Sequence, residues 1–361
     1  MKHYLGLDGL RGIAAVAVVL FHRRWLGPGG HFFDHAHLAV NFFFILSGFV
    51  IDHAYTDRLR QSAGGRGISL GQFLLARTIR LYPLIVLGSL LGLTYWLCEA
   101  LFTGRPELPD LALATVLSML CLPAPARLMG EMFAIDPPLW SLFYEIAANL
   151  VFVLILCRLP GRAILWLAAL GAGGSAILAL KFNVLNVGYR NGDVGWGMLN
   201  VLPSFVMGMA LNRLRHAWTF GIPFWLSSLL LTATFLPHSL GAWQGAYGLF
   251  MVVLFYPLLI LSSLDFKDNA ASAALARFSA FISYPIYALH YPVLFWISKL
   301  SERFDIPGKA ELLAGLALSI AVAWFAGKYY DEPVRRFLSR RLGKRASTKA
   351  TLSERELADH A

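Results

Sequence analysis

Ten stretches of mostly apolar residues follow one another along the chain, near 7–26, 37–55, 81–102, 138–157, 162–181, 196–212, 221–237, 244–264, 280–300 and 310–330. A helix needs about 17–25 such residues to cross the hydrocarbon core of a bilayer. Inside that core only a helix or a closed barrel satisfies every backbone polar group. The pattern therefore predicts an all-α polytopic membrane protein of about ten transmembrane helices. Charged residues make up only 14% of the 361 positions and hydrophobic ones 57%, whereas soluble domains carry about 25% charge. No polar, periodically patterned stretch is long enough for a second soluble domain.

An eleventh apolar run, "LALATVLSMLCLP" at 111–123, is shorter and ends at proline. If it does not span, both termini share a side. That side then collects Arg58, Arg60, Arg66, Arg77, Arg80, Arg158, Arg162, Arg213, Arg215, Lys267 and Arg277. The far side keeps balanced loops such as 103–137, with Glu107, Asp110, Glu131 and Asp136. The positive-inside rule then makes both termini cytoplasmic and 111–123 a re-entrant or interfacial segment. It also accounts for the net charge of +10 without a nucleic-acid partner. Residues 339–361 read as a short basic tail that can touch anionic lipid. Cys98, Cys121 and Cys157 show no metal or redox spacing and read as small buried hydrophobes. Lys2 is a weak n-region and Arg23-Arg24 follow the first run, so no cleaved signal is expected there.

The first run, "LDGLRGIAAVAVVLFHRRW", contains Asp8, Arg11 and His22. Eleven residues of helix set Arg11 and His22 about 20° apart around the axis and about 16 Å apart along it. Asp8 lies one turn before Arg11, so the three make a polar stripe. Such groups inside a bilayer are expensive and mark function by default. The structural reading is that Arg11 snorkels and His22 sits at the outer interface.

The stripe resembles the N-terminal signature of acyltransferase family 3, bacterial membrane proteins that O-acylate surface and extracellular sugars. Further pieces fall in the same order: "NFFFILSGFVI" (41–51), "RTIRLYP" (77–83), "PPLWSLFYEI" (137–146), "ISYPIYALHYPVL" (282–294) and "YDEPVRRFL" (330–338). The resemblance covers nearly the whole chain, as a transmembrane domain over 1–338. Some members carry a soluble esterase-like domain after the membrane unit, and none is expected here. The implied activity is O-acyl transfer, acetyl first, from cytoplasmic acyl-CoA to a glycan, glycolipid or glycoside hydroxyl at the bacterial inner membrane.

Within that resemblance His22 is the expected base, because a neutral imidazole takes a hydroxyl proton near neutral pH. Direct transfer and an acyl-imidazole relay both suit it. Arg11, Arg77 and Arg80 are the expected CoA-phosphate ligands. Arg77 and Arg80 project from one face, although charge alone favours an ordinary positive-inside pair. Glu145 is a candidate catalytic residue, either charge-stabilising His22 or binding acceptor hydroxyls, and equally a structural partner for an arginine. Trp140 suits a sugar platform or an interfacial belt, and Ser141 lies one turn before Glu145. Ser283, Tyr287 and His290 recur at helical spacing beside Pro285 and Pro292; His290 is a second site candidate or a hydrogen-bonded structural histidine. No metal is expected. A proton-coupled transporter would also want buried His and Glu, but the paired broken helices of inverted repeats are missing. A structural or sensory subunit would not explain why these residues coincide with one family's motifs.

Overall fold

The computed structural model describes residues 4–23, 33–64, 67–218, 220–264 and 269–342. Lys2, Arg24, Arg66, Lys267 and residues 343–361 of the expected tail lie outside these. The α-helices are α1 (Leu5–Arg23), α2 (Ala39–Arg60), α3 (Leu70–Thr103), α4 (Leu108–Met119), α5 (Ala126–Met129), α6 (Leu139–Leu154), α7 (Gly161–Phe182), α8 (Val194–Leu214), α9 (Phe224–Ala233), α10 (Gln244–Phe250), α11 (Tyr256–Ser262), α12 (Ala270–Phe304) and α13 (Gly308–Ala326). A π-turn joins α10 to α11, and another carries α13 on as helix through Leu342. The last helix therefore takes in 339–342, which the sequence assigned to the tail.

Among the described residues nine helices are long and apolar enough to cross a membrane, and they coincide with nine of the ten expected stretches. The exception is 221–237. Its helix, α9, has only ten residues, about 15 Å of rise against a core of about 30 Å. Pro223 precedes its first turn, and the chain turns out of it at Thr234. The passage from one end of the bundle to the other is nevertheless made. At one end Ile222 N–H donates to Ser262 O (2.9 Å), and at the other His35 N–H donates to Phe235 O (3.3 Å). Both described chain ends consequently lie at one end of the bundle, called the near end here.

Residues 108–138 form a re-entrant hairpin. After α3 reaches the far end, α4 runs back along it only as far as the Ser89–Ser118 hydroxyl pair (2.9 Å) and the Tyr82 bond to Leu120 O (3.2 Å). The chain then reverses at Cys121, and Ala124 N–H bonds Met132 O. α6 starts beneath this hairpin at Pro138 and runs to the near end.

Packing is set by small residues. A methyl on Gly48 of α2 would be driven into the carbonyl of Phe205, and one on Gly208 of α8 into that of Ile45. These two glycines let the backbones of α2 and α8 touch, as small residues do between membrane helices. Polar groups close the same seam at both levels. Asn41 Nδ2 donates to Asn200 Oδ1 (2.9 Å) and Ser204 Oγ (3.1 Å); nearer the chain ends, Asp52 accepts from Thr56, Asn212 and Arg213. On the other side α1 packs along α12, with Ser279 Oγ donating to Gly9 O (2.8 Å). α1 is thus held between α12 and the α2–α8 pair with its polar stripe facing inward.

Candidate active site

His22 lies on the inward face of α1, one residue before its C-terminal end. Its Nδ1 is 2.9 Å from Nε2 of His290, and the two rings are nearly parallel. His290 is fully buried, and its Nδ1 lies 2.9 Å from the carbonyls of both Ile286 and Tyr287. A carbonyl only accepts, so His290 Nδ1 carries the hydrogen and Nε2 holds a lone pair in the neutral ring. That lone pair accepts from His22 Nδ1–H. The remaining nitrogen, His22 Nε2, is therefore an unprotonated acceptor, and His22 lines the cavity at the far end. Tyr291 sets its ring edge-on to His22, with centroids 4.9 Å apart.

The arginines stand at the other level. α3 begins at a capping box, in which Ser69 Oγ accepts from Gln72 N–H (3.2 Å) and Gln72 Oε1 accepts from Ser69 N–H (2.9 Å). Because this start precedes the expected one, Arg77 and Arg80 lie two to three turns inside the helix rather than at its entrance. Arg77 pairs with Glu145 (2.6 Å), their side chains 12% and 20% exposed, and Arg11 pairs with Asp8 (3.1 Å). Arg80 makes no ion pair or hydrogen bond among the described residues. All five line one cavity of about 380 Å³ that reaches from Tyr4 and Tyr55 at the near end up to Ser141 and Tyr287. Glu145 thus stands against Arg77, in the cavity that His22 does not line, and the group that orients His22 is His290.

A second cavity, of about 390 Å³, occupies the far end and is lined by His22, His37, Glu131, Trp140, Tyr189, Arg190 and aromatic side chains from α3 and α12. Trp140 lines this space with its ring against Tyr189 and Tyr144. Val40 and Tyr287 line both cavities. Tyr287 is held across the boundary by Ser141: the Ser141 hydroxyl donates to Pro138 O (3.0 Å) and accepts from Tyr287 O–H (2.5 Å). A cavity holding the charged side chains and one walled by aromatic rings therefore share Val40 and Tyr287, and the second is also lined by an imidazole with a free lone pair. Both volumes fall in the range of ligand pockets.

Sequence reasoning did not single out Tyr291, Tyr189, Arg190 or Glu131 as site residues. Tyr189 and Arg190 belong to an irregular connection between α7 and α8, where no periodicity assigns a face. Asp136, read as one acid of a balanced loop, is fully buried with neither carboxylate oxygen hydrogen-bonded. Burial holds its carboxyl well above the usual carboxylate range. Among the described residues, no group of three or more His, Cys, Asp and Glu side chains is arranged to hold a metal ion.

The sequence model of acyltransferase family 3, described as an acyltransferase domain, matches residues 4–328. The acyltransferase MdmB of Streptomyces mycarofaciens is 25% identical over 378 residues, covering 93% of this chain and 92% of MdmB. The O-acetyltransferase OatA of Staphylococcus aureus (strain NCTC 8325 / PS 47) is 23% identical over 391 residues. That alignment covers 96% of this chain but 61% of OatA, so the chain spans about three-fifths of that relative. Protein 2 in the picA locus of Rhizobium radiobacter is 38% identical over 162 residues, 42% of this chain and 81% of that protein. No solved structure matches.

Proposed function

The chain belongs to acyltransferase family 3 and is a multi-pass membrane acyltransferase of the non-aminoacyl kind; from that premise we propose that it moves a short acyl group, acetyl first, from cytoplasmic acyl-CoA to a hydroxyl of a glycan, glycolipid or glycoside, in a bacterial cytoplasmic membrane. The observation that carries this reading is the His22–His290 pair, whose hydrogen-bond partners leave His22 Nε2 as an acceptor beside the far-end cavity.

In this reading the near-end cavity takes the donor. The phosphates stay among the arginines, and the pantetheine arm runs along the stripe between Arg11 and His22, about 16 Å of helix rise. The thioester then reaches Tyr287, while the acceptor enters from the far end against Trp140 and Tyr189. An aromatic wall suits the apolar face of a sugar ring. His22 Nε2 takes the hydroxyl proton as the oxygen attacks the thioester carbonyl. The imidazolium that forms keeps its Nδ1–H on His290 Nε2, the orienting part that a carboxylate takes in serine hydrolases. Collapse of the tetrahedral centre breaks the C–S bond, and the proton on Nε2 passes to the departing sulfur. Tyr291 supplies a hydroxyl donor near the developing oxyanion. Glu145 balances Arg77, so that a buried arginine holds its position when no phosphate is bound.

The test is acetyl-CoA binding and thioester cleavage by purified protein, wild type against His22→Ala and Arg80→Ala. Expected are a wild type that binds, an Arg80→Ala variant with weakened affinity, and a His22→Ala variant that binds but does not turn over. A folded wild type that binds no CoA overturns the donor assignment. Full turnover by His22→Ala overturns the base.

A further inference from the structure

Arg80 faces two spaces. Besides the donor cavity it lines a groove of about 520 Å³ between α3 and the helix that continues α13, with Arg335, Arg336, Ser339 and Arg340 on the opposite wall. The π-turn Gly327–Asp331 sets this last helix against α3, and π-turns are frequent at functional sites. Two of the arginines are internally neutralised: Arg335 pairs with Asp331 (2.9 Å) and Arg336 with Glu332 (2.5 Å). Arg80 and Arg340 have no such carboxylate partner among the described residues. The groove therefore presents two uncommitted guanidiniums and a serine hydroxyl, a donor set for phosphate oxygens.

We propose that this groove holds the 3′-phosphorylated adenosine end of the acyl-CoA donor, with Arg80 on the diphosphate and Arg340 on the 3′-phosphate. The proposal rests on the acyl-CoA reading and extends it to the last helix, a segment the donor assignment did not include. The order of parts along CoA matches the order of spaces. The thioester lies at His22, the pantetheine arm occupies the near-end cavity, and the diphosphate sits at Arg80, which lines both spaces. The nucleoside and its 3′-phosphate extend beyond. Arg77 and Arg11 are engaged by Glu145 and Asp8, so they hold the walls of the passage while Arg80 and Arg340 meet the phosphates.

The same donors also suit an anionic lipid headgroup, and the probes separate the two sources. Binding of CoA and of dephospho-CoA, which lacks only the 3′-phosphate, is measured by calorimetry on the detergent-purified full chain, wild type and Arg340→Ala. Arg340 is exposed, so its truncation leaves the fold intact, which a thermal melt checks. The expected result is a loss of about tenfold or more in CoA affinity for Arg340→Ala, the worth of one charge-assisted contact, with dephospho-CoA binding unchanged. Equal CoA affinity in both proteins overturns the proposal while leaving the acyl-CoA reading standing. Equal CoA affinity together with loss of co-purified phosphatidylglycerol from Arg340→Ala assigns the groove to lipid and overturns it likewise. A folded wild type that binds neither nucleotide removes the acyl-CoA reading itself, and this proposal with it.

Discussion

His290 fixes the tautomer of His22 from a position 268 residues away: two backbone carbonyls occupy its Nδ1, so its Nε2 accepts from His22 at 2.9 Å. In the proposed reading the relationship separates a base from the group that orients it. His22→Ala should abolish acyl transfer by about 10²–10⁴-fold, the usual worth of a general base. His290→Ala should lower turnover with little change in the affinity for acetyl-CoA, because His290 touches no substrate in this reading. Steady-state kinetics on membranes supplied with a panel of sugars gives both numbers. A His290→Ala protein with normal turnover would remove the orienting role.

Tyr287 lines both cavities together with Val40 and is held by Ser141 at 2.5 Å. Tyr287→Ala should join the cavities and admit water to the thioester, so that acetyl-CoA hydrolysis rises relative to transfer. Tyr287→Phe keeps the ring and loses only the hydroxyl, and should leave that partition closer to wild type. The ratio of free acetate to acylated acceptor is the readout. An unchanged ratio in Tyr287→Ala would mean that the boundary is set elsewhere.

Arg77 and Glu145 form a mostly buried ion pair at 2.6 Å. Removing one partner of such a pair leaves an uncompensated charge and costs about 3–5 kcal/mol, whereas replacing both with apolar residues is often neutral. Glu145→Gln should lower the melting temperature, and Arg77→Met with Glu145→Leu should recover it. CoA affinity should not recover in the double variant if Arg77 also serves the donor. Recovery of both would make the pair purely structural.

Asp136 lies outside the nine long helices with its carboxyl raised by burial alone. The sign follows from linkage. The unfolded chain ionises near pH 3.9 while the folded group stays protonated to higher pH, so stability is lost as pH rises between the two values. Asp136→Asn removes that loss. The variant should match wild type near pH 4 and melt higher than wild type near neutrality. A difference independent of pH would contradict the neutral buried acid.

Much of this architecture is legible from residue order. Hydropathy runs reveal nine of the long helices, and the short hairpin stands out because 111–123 is too brief to span. The polar stripe of α1 follows from helical periodicity alone, since Arg11 and His22 lie on one face whatever surrounds them. The 221–237 stretch was harder, because apolar composition does not register that Pro223 and the turn at Thr234 shorten its helix to ten residues. Tyr189 and Arg190 escaped notice because irregular backbone carries no period from which a face can be read.

Periodicity names the face of a helix but not its neighbour. Sequence alone therefore determined the class of fold, the stripe on α1 and the residue types the chemistry needs. Tertiary structure decided that Glu145 answers Arg77 and that His290 answers His22, because each pairing depends on the register between helices far apart in the chain. On the α2–α8 side that register is fixed by close backbone approach at Gly48 and Gly208, where a methyl has no room. The two cavities and the tyrosine between them exist only once the helices are packed, since an enclosed space is a property of several surfaces at once.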